Sequence, residues 1–271
     1  MKRYGWLLVC CLFLSIGMLW AADEPDLRML QQKAAQSRDM EGYVGVCKYL
    51  YQTEENPELL LLYADSIHQL ATKSKKPEQL VEYYIWASEG NFIKGDFQQG
   101  YALKRKAIAL AEKAGLKFAI SQSCCDMGYY CNVDARYDSA RYYFRKGLEA
   151  GEDLSEAGEA CRTMLTNYAS SFLFEGKTDS ALVYTIRASE RSAADKDTAM
   201  LIENLNQLGT IYRRKKDLEN CIANFEQALH LCELRGNHNA VAFIYGNIAT
   251  AYCDWNRPGL SLIHISEPTR P

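Results

Sequence analysis

Three side chains near residue 230 come closest to a metal-binding pattern in this chain. His230, Cys232 and His238 lie close together in sequence, and imidazole and thiolate groups are the ligands that zinc prefers. However, they straddle the end of one predicted helix and a loop containing Gly236, and no fourth ligand is nearby in sequence. We therefore predict no metal and no other cofactor.

The motifs of common catalytic sites are missing from the sequence. It contains no glycine-rich phosphate loop, no histidine pair at metal-binding helical spacing and no nucleophile elbow. Carboxylate pairs such as Glu54-Glu55 are typical of exposed loops. We predict no catalytic residue and no enzyme activity within this chain.

Ten cysteines raise the question of disulfides, and eight of them follow the N-terminal leader described below. Three occupy positions where the sequence pattern calls for small or medium apolar groups: Cys124, Cys131 and Cys221. We expect these three to be buried thiols that pack as small hydrophobic groups. Pairing that involves Cys125, Cys161 or Cys232 stays open.

A six-residue phrase returns about every 40 residues and sets the architecture that must position any binding residue. It begins at Gly95, Ala135, Gly176 and Lys216, with a fragment from Asn256. A fixed period of this length is typical of stacked units that bury their apolar faces only against their neighbours. Each phrase predicts the turn inside a helical hairpin. A carboxylate near the start of the second helix can accept from backbone N–H groups there, as at Asp138, Asp179 and Glu219.

Helical spacing of apolar residues flanks each turn, and small residues recur at one position of the first helix. These small residues are Gly128, Ala169, Gly209 and Ala249. We expect them to let the two helices of a hairpin approach closely. The predicted fold class is all-α: a right-handed α-solenoid of antiparallel helical hairpins.

The residues at these recurring positions resemble the tetratricopeptide repeat. The clearest unit has Leu208-Gly209-x-x-Tyr212, followed by Cys221, Phe225 and Ala228. Another has Met127-Gly128, Cys131, Ala140 and Phe144, and a weaker one has Tyr168-Ala169, Phe172, Ala181 and Ala188, with Thr185 in place of the usual aromatic. The resemblance covers roughly Gln79 to Gly259, and a helical array of another type is the alternative.

The resemblance implies a groove, lined by the first helix of each hairpin, that holds extended or helical peptides. In the family an Asn just before the small-residue position often bonds the ligand backbone. The corresponding positions and their neighbours on the same face are Asp126, Tyr129, Asn167, Gln207, Thr210, Arg213 and Asn247. Amide groups can satisfy both donors and acceptors of a peptide main chain. The alternative is that these polar residues only solvate an inner surface.

Both ends of the chain differ from the repeats. Residues 1–22 have basic Lys2 and Arg3, a short apolar run and small residues before an acidic stretch, which is typical of a cleaved secretory signal. A retained anchor and a lipoprotein leader at Cys10 or Cys11 are the alternatives. Residues 260–271 resemble a translated sequencing adapter, a natural tail being the alternative. We expect residues 23–78 to form degenerate capping hairpins and residues 79–259 to form the repeats, the last of them truncated.

The formal net charge of −3 argues against a nucleic-acid-binding region, which would show a basic stripe. The predicted partner is a protein or peptide. Any membrane association would come only through the signal or through a missing downstream transmembrane helix. The richness in thiols is the best argument against export.

The export signal before a long repeat array resembles the sensor region of Bacteroidetes-type membrane regulators. That resemblance implies an exported, periplasmic interaction module whose histidine-kinase or DNA-binding output lies downstream. A free periplasmic scaffold without catalytic output is the second hypothesis. An enzyme whose catalytic domain lies downstream is the third.

Overall fold

The computed structural model describes residues 27–54 and 56–255, and the regular structure of this part is entirely helical. The predicted leader, the adapter-like segment and the turn fragment from Asn256 lie outside the described residues. The α-helices in chain order are α1 (Leu27–Ser37), α2 (Met40–Thr53), α3 (Pro57–Ser74), α4 (Pro77–Lys94), α5 (Phe97–Ala114), α6 (Lys117–Val133), α7 (Tyr137–Gly151), α8 (Gly158–Phe174), α9 (Thr178–Ala194), α10 (Thr198–Arg214), α11 (Leu218–Leu234) and α12 (His238–Asp254). A turn of 3-10 helix, Ser155–Ala157, precedes α8.

Short turns connect most neighbouring helices, so that successive helices run antiparallel. The turns reverse the chain through a left-handed residue, such as Gly95 with a φ of 88° and Gly176 with a φ of 82°. Glycine adopts this conformation without a steric penalty. Lys216 occupies the same place in the next turn with a φ of 58°. The six-residue phrases therefore mark the hairpin turns, as the sequence predicts.

Carboxylates also lie at the starts of the second helices. In α11, however, the residue that caps the helix is Asp217 and not the predicted Glu219. The side chain of Asp217 accepts from the Asn220 N–H at 3.1 Å and caps α11. Glu219 lies in the first turn, where its charge complements the helix dipole. Asp138 and Asp179 also lie in first turns. Their carboxylates accept from the cationic groups of Arg141 and Lys215, respectively.

The chain forms two compact units. Of the described residues, the N-terminal unit comprises 27–54, 56–130 and 145–161, and the C-terminal unit comprises 131–144 and 162–255. In the N-terminal unit, α2, α3, α4 and α5 bury one apolar core that includes Leu50, Leu60 and Ile85. A Cβ at Gly100 would lie 2.7 Å from the Phe92 ring, so α4 and α5 meet at a residue without a side chain.

The C-terminal unit repeats this packing between α10, α11 and α12. Phe225, Ile244 and Ile248 are almost fully buried in its core. A Cβ at Gly209 would come within 2.5 Å of the Phe225 ring. The predicted close approach of the two helices is confirmed at this position, because any larger residue at Gly209 would displace the ring.

The predicted fold class, an all-α array of antiparallel helical hairpins, is confirmed for the described residues. Residues 57–71, part of the predicted capping hairpins, lie within α3. The boundaries at residues 78 and 259 stay predictions. Among the described helices, none has the length and apolarity that crossing a membrane requires.

Candidate peptide-binding site

The predicted binding amides of the C-terminal unit lie on α8, α10 and α12, and all three are half-buried. Gln207 donates from Nε2 to the Ser170 hydroxyl at 2.6 Å, across to α8. Its Oε1 accepts from the Thr185 hydroxyl of α9 at 2.9 Å. The Gln207 side chain is therefore fixed by two neighbouring helices.

Asn247 is fixed in a similar way by the preceding first helix. Its Nδ2 donates to Asn206 Oδ1 at 2.8 Å, which joins α12 to α10. At Asn167 the backbone carbonyl accepts from Asn132 Nδ2 at 3.0 Å. An amide side chain has two N–H donors and an oxygen with two lone pairs, so one interhelical bond leaves capacity for a ligand. The amides of Gln207 and Asn247 thus connect first helices, and all three recurring amides lie at a half-buried surface.

Thr210 and Arg213 lie on α10, the helix that also holds Gln207, and both follow it in sequence. The Thr210 hydroxyl donates to the Asn206 carbonyl at 3.1 Å and is half-buried. Arg213 Nε lies 3.8 Å from Asp254 Oδ2, and its side chain is 27% exposed. At this distance and exposure the ion pair is weak.

Asp126 and Tyr129 belong to the N-terminal unit, where both are half-buried. Asp126 Oδ2 accepts from Lys104 Nζ at 2.9 Å. The Tyr129 ring packs edge-on against Tyr130 with centroids 5.3 Å apart. Asp126 therefore takes part in an internal ion pair that its position in the repeat pattern does not reveal.

The cation of this ion pair is Lys104 of α5, whose role the repeat pattern does not predict. Lys104 is fully buried and donates to both Asp126 and the buried carboxylate of Glu89. The Tyr130 hydroxyl donates to the other oxygen of Glu89 at 2.8 Å. Burial raises the pKa of Glu89, and the Lys104 charge opposes that rise. For Lys104 the two carboxylates outweigh burial and raise its pKa well above the ordinary value.

Glu203 is a second group that the sequence analysis missed. It lies on α10 four residues before Gln207, and that spacing places both on one face of the helix. Burial, with a smaller contribution from the charge of Asp197, raises its pKa to about 7. Its burial in the fold distinguishes it from an ordinary surface glutamate.

No disulfide joins the cysteines of the described residues, and all of them but Cys253 are buried. The predicted burial of Cys124, Cys131 and Cys221 is confirmed. Burial raises the pKa of Cys124 to about 12 and that of Cys221 to about 11, so both thiols stay protonated at neutral pH. Within the described residues, no group of three or more His, Cys, Asp and Glu side chains could hold a metal ion.

The fold and these recurring first-helix positions define a helical-hairpin repeat protein. A family model described as Tetratricopeptide repeat matches residues 200–264. No curated protein sequence matches the chain. Together, the family match and the solved structures below support a tetratricopeptide-repeat protein, which is what the residues from Leu208 to Ala228 predict.

Three solved structures share this fold at low sequence identity. The apo form of RapI has a TM-score of 0.69 at 10% identity, covering 96% of this chain and 75% of that chain. BtubC from P. vanneervenii has a TM-score of 0.64 at 15% identity, covering 92% of this chain and 95% of that chain. PlcR of Bacillus thuringiensis, in complex with the peptide PapR7 and DNA, has a TM-score of 0.51 at 13% identity, covering 82% of this chain and 85% of that chain.

Proposed function

We propose that this chain is an interaction module that binds a peptide or protein segment along the first helices of its hairpins. One observation carries the proposal. Half-buried amides recur on α8, α10 and α12, and those of Gln207 and Asn247 are held in place by neighbouring helices. Side chains that are already fixed lose little conformational entropy when they bond a ligand.

Two of the proteins with a similar fold support this proposal by what they bind. PlcR was solved with the peptide PapR7 and DNA, and a Rap protein was solved with the Competence and Sporulation Factor. At 13% and 9% identity these likenesses concern the fold alone. They support binding of a peptide or protein by a chain of this fold, and they do not identify the ligand of this chain.

Alanine substitutions test the proposed binding surface. Random dodecapeptides displayed on phage would be selected on the immobilised full chain, and the affinity of a selected peptide would then be measured by calorimetry. We expect joint replacement of Asn167, Gln207 and Asn247 by Ala to weaken binding by about tenfold or more, because each lost ligand hydrogen bond contributes about 1 kcal/mol. The matched control is Asn224→Ala on α11, whose Nδ2 donates to the Asn220 carbonyl within its own helix.

The control should bind like the unaltered chain. Because Gln207 and Asn247 also connect helices, far-UV circular dichroism must first show that the triple variant keeps its helices. Unchanged affinity in a folded triple variant would show that these amides do not form the binding surface.

We further propose that the module is the exported, periplasmic sensory region of a membrane regulator with a downstream output domain. The leader-like residues 1–22 and the adapter-like residues 260–271 motivate this proposal. The test is to determine the reading frame of the gene beyond Gly259. Further repeats, an apolar span of about 20 residues and an output domain would support it. A stop codon soon after Gly259 would favour the free periplasmic scaffold, and a catalytic domain downstream would favour an enzyme.

A further inference from the structure

A buried cluster of charges in the N-terminal unit belongs to no role described so far. Lys104 of α5 is fully buried, and its ammonium group bonds to Glu89 of α4 and, at 2.9 Å, to Asp126 of α6. The second oxygen of Glu89 accepts from the Tyr130 hydroxyl at 2.8 Å. Every hydrogen bond of this cluster joins two different helices, so its geometry is fixed by the fold.

The cluster has more negative than positive charge. One ammonium group serves two carboxylates, which leaves a surplus of one negative charge when both are ionised. The side chains of Lys104 and Glu89 are 0% and 3% exposed, whereas that of Asp126 is 22% exposed. Glu82, on which the charge of Lys104 also acts, and Lys48, which acts on Glu82, are of opposite sign and do not remove the surplus. Of the two carboxylates, only that of Asp126 therefore presents the surplus negative charge to solvent.

Aromatic side chains lie near this carboxylate. Tyr129 follows Asp126 by three residues on α6, a spacing that places both side chains on one face of the helix. The Tyr51 ring is 36% exposed. Burial raises the pKa of the Tyr51 hydroxyl, and the charges of Glu89 and Asp126 raise it further, so Tyr51 interacts electrostatically with both carboxylates. Trp86 packs edge-on against Tyr51 with centroids 6.3 Å apart and donates to Glu82 at 3.0 Å. Aromatic faces beside a carboxylate attract an organic cation by charge and by the ring quadrupole.

We propose that Asp126, with the rings of Tyr51 and Tyr129, receives a lysine or arginine side chain of the bound peptide. This inference rests on the proposed peptide binding and adds the chemistry of the ligand. An acidic ligand group would be repelled by the surplus charge. A hard metal ion would require six or more oxygen ligands, whereas Asp126 is the more accessible of the two carboxylates of this cluster and its Oδ2 already bonds Lys104.

The test compares peptides selected from a random dodecapeptide library on three forms of the full chain. These forms are the unaltered chain, Asp126→Asn and the control Glu149→Gln. Glu149 is an exposed carboxylate of the same unit on α7. Asn keeps the shape of Asp126 and an acceptor oxygen for Lys104 but removes the charge. We expect Arg and Lys to be enriched on the unaltered chain and on the control, and not on Asp126→Asn.

A second measurement uses the unaltered protein, so it does not depend on how a variant folds. In one selected peptide the cationic residue is replaced by Gln, and binding is measured by calorimetry. We expect the affinity to fall about tenfold or more, as for close charge pairs at interfaces, and to fall much less on folded Asp126→Asn.

The outcomes separate the two proposals. Selection of no peptide at all would refute the proposed function and the inference with it. Selection of peptides without enrichment of Arg and Lys would leave peptide binding intact and refute the cation site. Equal enrichment on Asp126→Asn would also refute the cation site.

Discussion

Replacing Lys104 by Met should destabilise the protein far more than the loss of an ordinary lysine. Lys104 is fully buried and lies 2.9 Å from Asp126, in addition to its bond with buried Glu89. At that distance one charge pair contributes about 6 kcal/mol of gross attraction with an effective dielectric constant of about 20. Removing one partner of a buried pair costs about 3–5 kcal/mol, because the other charge is left without compensation. We expect a loss of that size in the free energy of unfolding.

The loss in the free energy of unfolding of Lys104→Met should depend on pH, and the direction of this dependence follows from Glu89. Burial raises the pKa of Glu89 above its ordinary value, and the Lys104 charge opposes that rise. Without Lys104 the pKa rises further, so the folded state binds the proton more tightly than the unfolded state does. Stability of Lys104→Met should therefore increase as the pH falls from about 8 to about 5. Adding Glu89→Gln to Lys104→Met should recover part of the loss at pH 8 and remove this pH dependence.

The assay is urea unfolding followed by far-UV circular dichroism, with Lys146→Met as the matched control. Lys146 pairs with Glu112 at 2.6 Å, but the two side chains are 25% and 45% exposed. Exposed pairs contribute less than about 1 kcal/mol, so the control should unfold close to the unaltered chain. Equal stability of Lys104→Met and Lys146→Met would refute the reasoning. So would a double variant no more stable than Lys104→Met at pH 8.

Two further predictions concern packing and thiols. Gly209→Ala should lower the free energy of unfolding by about 1–3 kcal/mol through overpacking, since the new Cβ would lie 2.5 Å from a buried ring. Gly246→Ala is the control, because its Cβ would meet nothing within 4 Å; equal losses in thermal unfolding would contradict the packing argument. Among the cysteines of the described residues, Cys253 alone is exposed, so it should react first with a thiol reagent and the buried thiols only on unfolding. Rapid modification of Cys221 in the folded protein would refute its burial.

The sequence predicted the features that repeat and missed those that occur once. Gly209 and Cys221 recur in phase with equivalent residues of other hairpins, and the fold confirms a close helix contact at the first and burial at the second. Lys104 lies in a run with Arg105 and Lys106 that is typical of a solvated face. Its burial depends on carboxylates on two other helices, and helical periodicity does not predict such long-range pairs. In the same way, the amide of Gln207 has the polarity of a ligand-binding residue, and only the packed helices reveal its bonds to the neighbouring helices.

The hydrogen bonds of the first helices limit how this surface can bind a peptide. Gln207 already donates to Ser170 and accepts from Thr185, and Asn247 already donates to Asn206. Each of these amides therefore retains about one N–H and one or two lone pairs for a ligand backbone. A net contribution of about 1 kcal/mol for each such bond gives only weak binding with little choice of sequence. Ligand side chains must supply the remaining affinity and the specificity, so substitutions at the half-buried, charged Asp126 should change which peptides are selected more than substitutions at the recurring amides do.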